Sequence, residues 1–129
     1  MRSPTRIALC ALLGLSLACA TGGSTGGSRR TDATLITREQ IIEYQFRNAY
    51  DAVQALHSPW LSTRGTDSFS NPSQVWVYLN DSKLGGVETL RDIATPSIAY
   101  IRHYDGITAS ARWGLDHGQG VIYVSTRAR

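Results

Sequence analysis

The sequence of 129 residues predicts a small α+β domain, in which short helices pack on a mixed β-sheet, over residues 33–127. Two segments of strand length, VWVYL at 75–79 and VIYVST at 121–126, consist mainly of β-branched and aromatic residues. Helix-capping residues at Thr37 and Asn48 precede apolar residues at helical spacing. Elements of both kinds lie within one segment of a size that can form a single hydrophobic core.

The N-terminal 18 residues predict a secretory signal peptide. Arg2 and Arg6 precede an apolar run from Ile7 to Leu17, and small residues follow that run. The run is shorter than the roughly 20 apolar residues that a membrane-spanning helix needs. We therefore expect the protein to be exported.

Cys19 is a candidate lipidation site. It follows LSLA at 15–18, which resembles the lipobox of bacterial lipoproteins, although Ser16 stands where that pattern usually has Leu. The resemblance implies that Cys19 carries a lipid, which would anchor the protein to outer-membrane lipid. The alternative is simple cleavage after Ala18 or Ala20, in which case Cys19 has no role.

Residues 19–32 predict a flexible tether, because TGGSTGGSRR at 21–30 is rich in Gly, Ser and Thr and has no apolar residue. Both cysteines of the chain, Cys10 and Cys19, precede the domain. We therefore expect the domain to contain no disulfide, no thiolate metal site and no catalytic cysteine.

The charge of the chain gives no support to a nucleic-acid partner. The formal net charge is +3, but Arg2 and Arg6 belong to the leader, and residues 19–129 hold 11 Lys and Arg against 10 Asp and Glu. A nucleic-acid-binding domain normally has a clear excess of basic residues on one face. We expect no nucleic acid among the partners.

The first half of the domain predicts a short strand near residues 33–36 and two helices. Thr37 and Gln40 match a capping box for the first helix, and Asn48 caps the second, which Ser58-Pro59 ends. The apolar residues that these helices would carry are Ile41, Ile42, Phe46, Ala49, Val53 and Leu56.

The second half predicts three strands separated by turns and short helices. In chain order we expect a loop at 60–73, a strand in the middle of the sheet at 75–79, a turn at 80–86, a short helix at 87–93, a strand at 97–104, a helix at 107–113 ended by Gly114, and a strand at 121–126. The expected core side chains of the last two strands are Ile98, Ile101, Ile122 and Val124, with Trp113 as an apolar cap.

Three histidines, His57, His103 and His117, are the candidate metal ligands or catalytic bases. None has the spacing of an HExxH or HxH motif, and a GxSxG motif is absent from the sequence. We interpret them as a residue at a helix end, a strand residue and a loop residue. The sequence therefore indicates a protein that is not an enzyme and needs no metal or cofactor.

Trp60 and Arg64 are the best candidates for a contact surface, because they lie at the start of a long loop rather than on a strand. The alternative for Trp60 is an apolar anchor for the end of the preceding helix.

Four segments between residues 97 and 127 follow one another in the order that is found in a known family of domains. SIAYIRHY at 97–104, the turn Asp105-Gly106, TASARWG at 108–114 and GVIYVSTR at 120–127 follow one another. This order resembles the end of the plug domain of TonB-dependent outer-membrane receptors, with Trp113 in place of the usual Tyr. VWVYLND at 75–81 and LITREQI at 35–41 resemble earlier segments of the same domain, although Asn80-Asp81 replaces the usual Asp-Gly.

The resemblance implies a plug-like domain over residues 33–127 in the periplasm or at the periplasmic face of the outer membrane of a Gram-negative bacterium, with a β-barrel membrane protein as a possible partner. We find no TonB box between Cys19 and Ala33 and no run of barrel strands, so we expect a free-standing binding module rather than energised transport. The alternatives are a small periplasmic hydrolase or metal-binding protein that uses the histidines, a structural lipoprotein without a small ligand, and a receptor remnant without a role.

Overall fold

The structure is a computed structural model that describes residues 32–65 and 74–128. The signal peptide, Cys19 and all of the tether except residue 32 lie outside the described residues. The same holds for residues 66–73 of the expected loop.

The described residues form five strands and three α-helices, which confirms the small α+β fold. The strands are β1 (Leu35–Thr37), β2 (Trp76–Leu79), β3 (Ser82–Gly85), β4 (Tyr100–Tyr104) and β5 (Val121–Ser125). The α-helices are α1 (Arg38–Tyr44), α2 (Ala49–His57) and α3 (Gly106–Trp113). Short 3₁₀ helices lie at Ser58–Leu61, Val87–Asp92, Thr95–Ser97 and Leu115–His117.

All five strands belong to one mixed sheet with the order β1-β4-β5-β2-β3. Strands β2 and β5 run parallel, and the other neighbours are antiparallel. In the β4–β5 pair, Ile101 lies opposite Val124, and α3 connects the two strands. Strand β2 has a neighbour on each side, which confirms the expected position of residues 75–79 in the middle of the sheet.

The interpretation of residues 80–86 as a turn is wrong in part, because the chain forms a two-residue turn and then strand β3. Asn80 has the left-handed backbone conformation (φ 52°), which Asn tolerates better than most residues. Its side chain accepts a hydrogen bond from the backbone N–H of Thr126 (3.0 Å). The strand was missed because SKLG has almost no residues that favour strands, and pairing with β2 decides its conformation.

The capping residues that the sequence predicts are in place. Thr37 and Gln40 form the capping box of α1, and Asn48 accepts from the backbone N–H of Asp51 at the start of α2. Residues 60 and 61, expected in the loop, belong instead to the 3₁₀ helix that continues α2. Pro59 lies in the first turn of this 3₁₀ helix, where proline is favourable. The chain therefore forms another helical turn at this point instead of an open loop.

The core lies mainly between the sheet and the helices α1 and α2. Ile98, Ile101, Ile122 and Val124 have no exposed surface, which confirms their predicted role. A second apolar cluster covers the opposite side of the sheet under α3, where half-buried Trp113 packs as expected. This cluster contains Tyr78, Ala109 and Val121, with Trp76, Tyr104, Trp113 and Tyr123 at its border. No helix in the described ranges is long and apolar enough to cross a membrane.

Candidate functional site

A cavity of about 450 Å³ lies where the end of α2, the end of β4 and the turn before β5 meet. We call it the histidine–tryptophan cavity. Its lining residues are Ala33, His57, Pro59, Trp60, Ser62, Arg64, His103, Asp105, Gly106, Gly118 and Gln119. A concave site of this volume is large enough for a small organic ligand.

Two imidazole rings stack on the indole of Trp60 at this cavity. The ring centroids of His57 and Trp60 are 4.3 Å apart, and those of Trp60 and His103 are 5.2 Å apart, with interplanar angles of 6° and 15°. His57 is the last residue of α2, and Pro59 starts the 3₁₀ turn that places Trp60 close to it. The side chain of Trp60 also packs into the main core, so only 6% of the residue is exposed.

Burial lowers the pKa of both histidines below the usual 6.5. For His103, the nearby charge of Arg64 lowers the pKa further, whereas Asp105 opposes the shift. Removing an imidazolium from water is unfavourable, so burial favours the neutral form of both rings. A neutral imidazole has one N–H donor and one nitrogen acceptor.

The ring nitrogens of His57 and His103 have no hydrogen-bond partner among the described residues. The only fully buried side-chain nitrogen or oxygen without a partner in those residues is Nε of Arg102. The imidazole nitrogens are therefore not fully buried but reach solvent. Because both residues line the cavity, these nitrogens can bind a ligand there.

The side chain of Gln119 fixes the backbone of Arg64 at the cavity. Its side-chain oxygen accepts a hydrogen bond from the backbone N–H of Arg64 (2.7 Å), and its amide nitrogen donates to the backbone oxygens of Arg64 and Gly65 (3.3 and 3.4 Å). These bonds use only the backbone of Arg64. Its guanidinium therefore lies on an anchored segment at the cavity without an ion pair to any described carboxylate.

The cavity also contains the start of α3. The Asp105 carboxylate accepts hydrogen bonds from the backbone N–H and the hydroxyl of Thr108 (2.8 and 3.1 Å), which lowers its pKa. Asp105 is thus ionised, and its carboxylate is used to cap the N-terminus of α3. Gly106 packs against the backbone of Gly118 so closely that any side chain would collide with it.

Both residues of the predicted contact surface line this cavity. Arg64 is exposed there, whereas Trp60 is mostly buried and also anchors the end of α2, so the two interpretations of Trp60 are compatible. His57, His103 and Gln119 were not predicted to belong to the site. The sequence has no signal for them, because they are distant along the chain and only the sheet brings them together.

The third histidine lies on the other side of the sheet. His117 is buried among Trp76, Tyr78 and Trp113, with ring centroids 5.9–6.3 Å apart. It is therefore not part of the histidine–tryptophan cavity. Within residues 32–65 and 74–128, no three His, Cys, Asp or Glu side chains are placed to hold a metal ion together.

Comparison of the chain with protein-family models, with curated proteins and with solved structures found no match.

Proposed function

We propose that this protein is a non-enzymatic, plug-like binding module of the bacterial envelope, anchored to outer-membrane lipid through Cys19. The histidine–tryptophan cavity is its binding site. The observation that carries the proposal is that Arg64, His57 and His103 line one cavity, and that no carboxylate of the described residues forms an ion pair with Arg64. The sequence resemblance to plug domains over residues 33–127 supports the envelope location.

The arrangement of the polar groups favours binding over catalysis. A catalytic histidine normally hydrogen-bonds a nucleophile on one nitrogen and an orienting group on the other. The contacts of His57 and His103 within the described residues are instead the stacking contacts of both rings with Trp60. The carboxylate nearest to His103 in sequence, that of Asp105, is already bonded to Thr108.

A pull-down from detergent-solubilised membranes through a C-terminal tag tests the proposed partner. We expect the unmodified protein to recover a β-barrel membrane protein and the variant Arg64→Glu to lose it. Arg91→Glu is the matched control, because Arg91 is also an exposed arginine but is remote from the cavity and pairs with Glu88. Recovery of soluble enzymes alone, or full recovery by Arg64→Glu, would contradict the proposal.

Metabolic labelling with radioactive palmitate tests the anchor separately. We expect label in the unmodified protein and none in Cys19→Ala. Equal label in both would exclude a lipid on this cysteine. Stoichiometric zinc binding that His103→Ala abolishes would instead favour the alternative of a histidine-dependent metal protein.

A further inference from the structure

The unsatisfied groups of the histidine–tryptophan cavity define the chemistry of a ligand. His57 and His103 each offer one donor and one acceptor nitrogen in the neutral form. The natural complement of such a pair is a group that can both donate and accept, and the hydroxyl is the common one. A ligand that satisfies both rings therefore carries several hydroxyl groups.

Arg64 adds a requirement for negative charge. Its backbone is held by Gln119, and no described carboxylate forms an ion pair with its guanidinium. The carboxylate of Asp105 lines the same cavity, but the N–H and hydroxyl of Thr108 already bind it. A guanidinium on an anchored segment favours a carboxylate or phosphate, which it can bind through two parallel hydrogen bonds.

The remaining lining combines the hydroxyl of Ser62 with small apolar surfaces. Ala33, Pro59 and the exposed edge of Trp60 provide carbon surface between the polar groups. A volume of about 450 Å³ is sufficient for one or two sugar rings.

From these groups we propose that the cavity binds an acidic sugar, that is, a polyhydroxylated ring with one carboxylate or phosphate. The hydroxyl groups bind the imidazoles of His57 and His103, and the anionic group binds Arg64. The inference rests on the proposed function, since it takes the cavity to be the binding site, and it names the class of ligand.

Titration calorimetry on the full chain with Cys19→Ala, which removes the lipid, tests this assignment. The probes are galacturonate, its neutral counterpart galactose, and acetate. We expect galacturonate to bind at least about tenfold more tightly than either of the others, since a charge-assisted hydrogen bond is stronger than one between neutral groups. Equal affinities for galacturonate and galactose, or no binding of galacturonate, would overturn the proposal.

Variants assign the two parts of the ligand to their residues. Arg64→Gln is expected to weaken galacturonate about tenfold and to leave galactose unchanged, because only the charged contact is lost. His103→Phe keeps a ring on Trp60 but removes both nitrogens, so both sugars should bind more weakly. Arg91→Gln is the control and should change neither affinity. An unchanged affinity of Arg64→Gln for galacturonate would contradict the role of Arg64, and because Arg64 is exposed this variant should fold normally.

The two proposals fail in different ways. If galacturonate does not bind but the tagged protein still recovers a β-barrel protein in an Arg64-dependent manner, the binding module stands and the acidic sugar is excluded. If galacturonate binds but no barrel protein is recovered, the ligand class stands and the partner is excluded.

Discussion

The hydroxyl oxygen of Tyr78 lies 3.0 Å from Nε2 of His117 inside the aromatic cluster under α3. Nδ1 of the same ring lies 3.1 Å from the backbone oxygen of Gly114, which is only an acceptor. Nδ1 therefore carries the proton, and Nε2 accepts the hydrogen bond of the Tyr78 hydroxyl. The Tyr78 hydroxyl and the Gly114 carbonyl together satisfy both nitrogens of a histidine that is only 2% exposed.

Removal of the tyrosine hydroxyl should be costly at this position. In Tyr78→Phe, the buried Nε2 of His117 loses its donor, and we expect the free energy of unfolding to fall by about 1–3 kcal/mol. Urea denaturation followed by circular dichroism measures the change. Tyr123→Phe is the control, since the Tyr123 hydroxyl makes no hydrogen bond to a described residue. A similar decrease in the free energy of unfolding in both variants would contradict the role of the hydrogen bond between Tyr78 and His117.

The close contact between Gly106 and Gly118 predicts a second large effect. A Cβ at Gly106 would lie 1.8 Å from the backbone oxygen of Gly118, which cannot move without displacing the turn before β5. We expect Gly106→Ala to lower the free energy of unfolding by about 1–3 kcal/mol or more through overpacking, and to distort the cavity. In the control Gly86→Ala, the new Cβ meets only the flexible side chain of Gln74 at 3.2 Å. A stability equal to that of the control would refute the contact.

The buried pair of Ile101 and Val124 allows a test of the sheet itself. Ile101 has no exposed surface, so Ile101→Ala should lower the free energy of unfolding by about 2–5 kcal/mol. Ile42 is the matched control because 60% of it is exposed, and Ile42→Ala should change stability by no more than about 0.5 kcal/mol. The same denaturation experiment measures both. A small effect at Ile101 would contradict the complete burial of its side chain in the core.

The two cavity histidines predict that the protein loses stability in mild acid. Their pKa values are lower in the folded state than the unfolded value of 6.5, so the unfolded chain binds more protons as the pH falls through 6.5. The free energy of unfolding therefore decreases from pH 8 towards pH 5, until the pH lies below the folded pKa values. Thermal unfolding across this range measures the trend. The double variant His57→Gln and His103→Gln should show a weaker dependence, and an unchanged one would contradict the assignment.

Most of the secondary structure could be predicted because it depends on local chemistry. The capping box of Thr37 and Gln40, the cap at Asn48 and the strands at 75–79 and 121–126 were all evident in the sequence. Strand β3 was not, because its residues have little preference for strand and its partner β2 determines it. The same limit applies to the cavity: the sequence predicts Trp60 and Arg64 as a contact surface, but it does not indicate that His57, His103 and Gln119 lie beside them.

The sequence alone determined the class of fold and most of its elements, because hydrophobic period, capping residues and turn residues act over a few neighbouring positions. Only the tertiary structure decided which histidines share a site. His57 and His103 meet at Trp60 because β4 lies beside the end of α2, whereas His117 follows α3 to the opposite side of the sheet. Such proximity depends on the order and direction of the strands, which no local pattern encodes.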